Sequence, residues 1–326
     1  MAICTYDGTT TYQDVLKHFK DNGKGKTFVI TGPSVGSLGA EAALALATTS
    51  PTAIYLLGRT ASRIDPILTK IMTTSPSTTV EFVQLDTADN ASVRACAEKL
   101  KPLLAKSSNG EIHGLLNSAG IIATKEFKLS KDGIEGQFAT NHVGHFLLTN
   151  LLKEEILKGK GVVLQVSSGG FAISDSNFED ANFNDGKDYV PWIGYARSKA
   201  ANALFAMALA KRLKGTDVLS LACTPGTVND SALRKNNDLG DDRMMEAWQI
   251  CQEIGLDLTA YGHQSTMDEG TANLILPLLD PSFRAHPGAY IEECHVNTRD
   301  EPLLTDENAE KLWAQSEELL GQTFTW

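Results

Sequence analysis

The chain has 326 residues, 42% of them hydrophobic and 21% charged, which is ordinary for a soluble enzyme and enough to bury a substantial core. Its formal net charge of −11 argues against nucleic acid or an anionic membrane surface as the main partner. No apolar run approaches the ~20 residues that span a bilayer and the start lacks a charged-then-apolar leader pattern, so a cytoplasmic location without membrane insertion is expected.

The five cysteines, Cys4, Cys96, Cys223, Cys251 and Cys294, have no ligand-like spacing and read as reduced thiols. Residues 1–25 are polar apart from Tyr12, Val15, Leu16 and Phe19, whose spacing predicts a short helix on an N-terminal extension. From Thr27 onward short apolar runs alternate with helical stretches. Strands are expected at Thr27–Thr31, Ala53–Leu57, Val80–Leu85, Gly114–Asn117, Gly161–Ser167 and Val218–Cys223. Helices are expected near 38–48, 62–73, 89–105, 135–157 and 195–214. With no internal repeat, the pattern implies one α/β domain over 1–326, a doubly wound parallel sheet of Rossmann type. Its binding crevice should lie outside the carboxyl ends of the strands.

The first strand runs into Gly32-Pro33-Ser34-Val35-Gly36-Ser37-Leu38-Gly39 and then an Ala-rich helix. Glycines at such a junction let the backbone approach a pyrophosphate, whose charge is met by the helix N-terminus. The second strand ends in Gly58-Arg59-Thr60, with no carboxylate for a ribose 2′-hydroxyl but with a guanidinium that suits a 2′-phosphate. That favours NADP over NAD. The third strand ends at Asp86, where a carboxylate could meet an adenine amino group, and the fourth in Asn117-Ser118-Ala119-Gly120, small enough for a ribose to approach. The fifth ends in Ser167-Ser168-Gly169-Gly170, which brings hydroxyls to the crevice mouth.

The Ala- and Leu-rich run that follows carries Tyr195 and Lys199 four residues apart, on one helical face. A phenol with an ordinary pKa near ~10 is a poor base at neutral pH, and a fixed cation a few Å away favours its phenolate. His142 and His145, three apart on a helix, lack an acidic partner in a metalloenzyme pattern, so no metal is expected.

Together these landmarks make the chain resemble the short-chain dehydrogenase/reductase family from about Thr27 to Gly226. The motifs are Thr31-Gly32-x-x-x-Gly36 with Gly39, Asp86, Asn117-x-Ala119-Gly120, Asn141, Ser167-Ser168, Tyr195-x-x-x-Lys199 and Pro225-Gly226. The stretch Thr140-Asn141-His142-Val143-Gly144-His145-Phe146-Leu147-Leu148 is similar to the retinol dehydrogenase and WW-domain oxidoreductase branch, and the C-terminal half to fungal members of it. The glycine loop departs from the family by one residue, which makes Gly39 its third glycine. Ser118 replaces a usual Asn, and Val35 stands where many NADP-dependent relatives have a basic residue.

The resemblance implies that Tyr195 is the general acid or base and that Lys199 lowers its pKa and holds the nicotinamide ribose. Ser168 would bind the substrate oxygen, and Asn141 would hold a water linking Lys199 to solvent. It also implies cofactor contacts from Gly32, Ser34, Gly36, Ser37, Leu38 and Gly39 in the loop, and from Arg59, Asp86, Thr87, Asn117, Ala119 and Gly120 at the next strand ends. Pro225, Gly226, Thr227 and Val228 complete the set.

Substrate choice falls to the insert Gly169–Gly194, with Phe171, Phe178, Phe183, Tyr189 and Trp192, and to 227–268, with Met244, Met245, Trp248 and Tyr261 behind a charged stretch. A lid over an apolar small-molecule substrate and ordinary core packing are equal readings of both. The apolar spacing in Thr305–Leu320 predicts a helix packed on the body, with a homo-oligomer contact as the alternative. The expected activity is NADP(H)-dependent oxidoreduction of a carbonyl or secondary alcohol. A nucleotide-binding regulator and a non-redox cyclisation or dehydration catalyst are the competing readings.

Overall fold

The computed structural model describes residues 6–235, 241–257, 261 and 263–326, so Cys4 and part of the expected lid segment lie outside the described residues. Its strands are β1 (Thr27–Thr31), β2 (Ala53–Gly58), β3 (Thr79–Gln84), β4 (Gly114–Asn117), β5 (Val162–Val166), β6 (Leu219–Cys223), β7 (Tyr290–Glu292) and β8 (His295–Val296). They form one sheet in the order β3-β2-β1-β4-β5-β6-β7-β8. Every pair is parallel except β7 with β8, which closes the edge as an antiparallel pair. β1, β5 and β6 are buried along their whole length, as strands covered on both faces must be.

The helices are α1 (Tyr12–Phe19), α2 (Leu38–Ala47), α3 (Asp65–Thr74), α4 (Asn90–Ser108), α5 (Gly136–Phe138), α6 (Gly144–Leu151), α7 (Lys153–Gly159), α8 (Pro191–Arg212), α9 (Ala232–Lys235), α10 (Asp241–Ile254), α11 (Met267–Leu279) and α12 (Asp306–Leu320). One core lies under α4, α6 and α8 and includes Phe146, Phe205 and Trp313. The other lies under α1, α2 and α11 and includes Phe28, Leu46 and Leu276. The order β3-β2-β1-β4-β5-β6 reverses direction between β1 and β4, and the crevice opens at that reversal.

The expected strands and helices are present, with ends moved by a residue or a few. The continuous helix expected over 135–157 is instead four pieces: α5, a π turn at Ala139–Val143, then α6 and α7. α8 starts at Pro191 rather than Tyr195, because proline at the first helical position loses no hydrogen bond there. α11, β7 and β8 extend the sheet and its cover beyond the expected elements.

α12 packs on α8 of its own chain. Trp313 lies edge-on to Phe146 at 4.8 Å and near Phe205 at 5.9 Å, while the Arg212 guanidinium stacks 3.8 Å over the indole. Among the described residues no helix is long and apolar enough to cross a membrane.

Candidate active site

Each of the first six strands delivers residues to one cavity of about 940 Å³. β1 feeds it through Gly32, which has φ +71°; a Cβ there would stand 2.7 Å from the Ala119 Cα. Only glycine lets the ends of β1 and β4 approach so closely. The unusual glycine loop is resolved by Ser37, which caps α2. Its hydroxyl accepts from Ala40 N at 3.1 Å and donates to Gly32 O at 2.9 Å, so Leu38 becomes the first helical residue. A Cβ on Gly39 would meet Gly32 O at 3.1 Å, which gives that glycine a packing role. The loop wall that results, with Gly32, Ser34, Ser37 and Leu38 facing the cavity beside the start of α2, fits a pyrophosphate.

A second device pins the ends of β1 and β4 together. The Thr31 hydroxyl accepts from Ser118 N and Ala119 N, both at 2.9 Å, and lies 2.9 Å from His145 Nε2. His145 Nδ1 is 2.9 Å from the Asn141 carbonyl, which can only accept, so Nδ1 carries the proton and Nε2 accepts from Thr31. Burial holds the ring neutral by pushing its pKa down to about 4. His142 is also a buried structural group, 2.8 Å from Ser316 Oγ of α12.

Asn141 sits in the π turn. Its side chain accepts from Ile121 N at 2.8 Å and donates to Ile121 O at 2.9 Å and Ser198 Oγ at 2.8 Å. It therefore fixes the strand-end segment to α8, the helix that carries Tyr195 and Lys199. Ser167 Oγ, donating to Lys199 O at 2.7 Å, ties β5 to the same helix.

The Lys199 ammonium donates to Val166 O at 2.9 Å and stands 5.8 Å from the centre of the Tyr195 ring. Burial pushes its pKa down to about 8. Tyr195 departs from the expected depression. Burial pushes the phenol up to about 12, against smaller downward pulls from the Ser168 hydroxyl and the Arg234 cation. Burial of the phenol outweighs those pulls, and the Lys199 cation, 5.8 Å from its ring centre, does not offset it. Ser168 also accepts from Gly170 N at 3.1 Å, which orients its oxygen beside the ring.

Of the expected site residues, Gly32, Ser34, Ser37, Leu38, Arg59, Thr87, Ala119 and Gly120 line this cavity, together with Ser168, Tyr195, Lys199, Pro225, Gly226, Thr227 and Val228. Gly36, Gly39, Asp86, Asn117 and Asn141 are not on its wall. Gly36 supplies a turn at φ +76°, the Asp86 carboxylate accepts from Ala88 N at 3.1 Å, and Asn117 donates to Thr149 Oγ1 at 3.0 Å.

Two charged lining residues escaped the sequence reading. Arg63 stands four after Arg59, a spacing that could have paired them. Arg234 was read only as part of a charged stretch, and it needed the fold to bring it to Tyr195. Of the aromatic insert, Trp192 lines the cavity, whereas Phe171, Phe178 and Phe183 are buried in packing. Met244 and Tyr261 also reach the cavity, and Met245 and Trp248 are exposed.

A parallel sheet whose glycine-edged crevice opens where the strand order reverses, with a Ser, Tyr and Lys set at its wall, defines an α/β dinucleotide-dependent oxidoreductase. The family model for short chain dehydrogenase matches residues 26–177. The oxidoreductase fscI of Fusarium equiseti is 32% identical over 68% of this chain and 94% of that protein. Mouse (Mus musculus) retinol dehydrogenase 12 is 32% identical over 91% of this chain and 87% of that protein. A solved structure of an uncharacterized protein from Mycobacterium Paratuberculosis superposes with a TM-score of 0.69 at 27% identity, over 93% of this chain and 96% of that one. Levodione reductase shares the fold with a TM-score of 0.61 at 18% identity, over 82% of this chain and 96% of that one. The chain belongs to the short-chain dehydrogenase/reductase family, in its retinol dehydrogenase-like branch. Proteins of this family use a nicotinamide cofactor.

Proposed function

We propose that the chain is a single-domain NADP(H)-dependent reductase of carbonyl groups on lipophilic or specialised metabolites, running in reverse on the matching secondary alcohols. The observation that carries this reading is one cavity joining Ser168, Tyr195 and Lys199 at one end to Arg59 and Arg63 at the other, with no carboxylate among its described lining residues. Two guanidiniums at the end of β2 suit a 2′-phosphate better than a bare ribose. Relatives named retinol dehydrogenase favour an apolar substrate, as do Ile122, Ile173, Trp192 and Leu233 on the cavity wall.

When bound, the reduced nicotinamide supplies the hydride. The Ser168 hydroxyl donates a hydrogen bond to the substrate oxygen and stabilises its developing charge. Tyr195 gives its proton to that oxygen, and its raised pKa keeps the proton in place until then, which suits reduction near neutral pH. Lys199 would hold the ribose through its ammonium and resupply a proton, with Asn141 fixing the strand-end segment to its helix. Cytoplasmic residence and use of a small-molecule substrate complete the reading.

The test follows NADPH absorbance with apolar ketones, aldehydes and quinones, beside a Tyr195→Phe control. Turnover in the parent protein and its loss in Tyr195→Phe are expected. Turnover without cofactor, or unchanged in Tyr195→Phe, would refute the reading and favour a non-redox reaction on the same fold.

A further inference from the structure

A chain with a formal charge of −11 lines its main cavity with Arg59, Arg63, Lys199 and Arg234, and with no Asp or Glu among the described lining residues. Three of these cations have work under the reading above, two at the cofactor's 2′-phosphate and one at its ribose. Arg234 is left over. It is half-buried on the wall of the cavity that also carries Ile122, Ile173, Trp192, Leu233 and Ala247, where its charge has no use for an uncharged substrate.

Its position is built. Gly36, at φ +76°, turns its carbonyl to accept from Ala232 N at 2.8 Å, which docks the start of α9 on the glycine loop. Arg234 N donates to Ser231 O at 3.1 Å within the same turn. The guanidinium reaches across to α10, where Nη2 lies 3.5 Å from Met244 Sδ, a weak acceptor. Among the described residues no carboxylate pairs with it. The rest of its planar donor fork is therefore free to meet a carboxylate in two parallel hydrogen bonds. It also lines the same cavity as Tyr195 and acts on that phenol electrostatically.

We propose that Arg234 binds an acidic group of the substrate, so that the preferred substrates are carbonyl compounds with an apolar or aromatic body and a carboxylate. This rests on the reductase reading and adds to it the substrate class. The apolar wall accepts the body, the Ser168 and Tyr195 hydroxyls take the carbonyl oxygen, and Arg234 fixes the far end and thereby the register of the carbonyl in the site. An ester of the same shape lacks the charge that the Arg234 fork would meet.

The test compares 4-benzoylbenzoate with its methyl ester, which share a diaryl ketone and differ in one charge. In the parent protein the acid should be favoured in kcat/KM by about tenfold or more, chiefly through KM, as expected for a charge-assisted contact. In Arg234→Met the acid-to-ester ratio should collapse to about one, while Arg234→Lys, which keeps the charge, should retain part of it. A ratio near one in the parent protein, or a ratio unchanged in Arg234→Met, overturns the proposal. Equal losses for acid and ester would also overturn it, because Arg234 would then act through Tyr195 or the fold. If neither ketone is reduced, the reductase reading fails for this class. Calorimetric affinity of the same two compounds for the NADPH-bound protein then decides the Arg234 claim, with the same expected ratios.

Discussion

Lys199 makes the protein less stable than it could be, and the size of that effect follows from its surroundings. Its ammonium is buried against Val166, and burial lowers its pKa from 10.5 to about 8. At ~1.4 kcal/mol per tenfold change in acidity, keeping the charge buried costs about 3 kcal/mol near neutral pH. Lys199→Met removes that cost, keeps most of the aliphatic stem and gives up one hydrogen bond of about 1 kcal/mol. The Val166 carbonyl is not orphaned, because Asn202 Nδ2 still donates to it at 3.0 Å. The variant should therefore be more stable by about 2 kcal/mol, a rise in melting temperature of roughly 3 °C for a chain of this size.

The gain should depend on pH in one direction. The folded protein releases the Lys199 proton at lower pH than the unfolded chain does, so the penalty is full below about pH 8 and fades as pH rises towards 10.5. Thermal unfolding of both proteins without cofactor, across that window, measures it. A Lys199→Met protein no more stable than the parent near neutral pH, or an advantage that persists undiminished near pH 10.5, would refute the buried-charge argument.

Replacing both Arg59 and Arg63 with alanine should weaken NADPH binding by roughly 1.5 kcal/mol or more, discounted because both side chains are exposed, and leave NADH binding nearly unchanged. Equal calorimetric losses for the two cofactors would remove the case for NADP. Gly32→Ala, at φ +71° and with its new Cβ 2.7 Å from the Ala119 Cα, should lower stability by about 1–3 kcal/mol and cofactor affinity with it; full retention of both would mean the two strand ends are free to part. Trp313→Ala removes the indole that α12 packs against Phe146 and Phe205, and denaturant melts should show a loss of about 3–5 kcal/mol. A loss under about 1 kcal/mol would show that α12 contributes little to the fold.

What could be read from the residues was what repeats or punctuates. Six strands stood out as short apolar runs between turn residues, and Tyr195 with Lys199 followed from a four-residue helical spacing. α11 was not legible because it is buried on nearly all sides and carries Pro277 inside it, so it shows no polar face. β7 and β8 span three and two residues and exist only because β6 offers an edge. The raised pKa of Tyr195 was beyond reach for a related reason. Four residues of spacing tell that a cation is near, but the loss of water around the phenol is set by segments from across the chain, including Ile122, Ile173 and Ala247 packed in one cluster with it. Arg234 shows the same limit, since its approach to the site depends on how Gly36 docks α9.

The π turn at Ala139–Val143 bears on how this stretch can vary in length. A π turn holds one residue more than an α turn, and here the surplus residue lets Asn141 face Ile121 while His145, four residues on, faces Thr31. Deleting a single residue would restore regular α geometry, and the surplus that lets Asn141 reach Ile121 while His145 reaches Thr31 would be lost. The helix could not slide to compensate, because a Cβ on Gly144 would already stand 2.1 Å from Thr87 O. Between Gly136 and His145 the number of residues is thus constrained as tightly as their identities. Insertions and deletions among descendants of this sequence should fall in the loop between β5 and α8 and spare these ten positions.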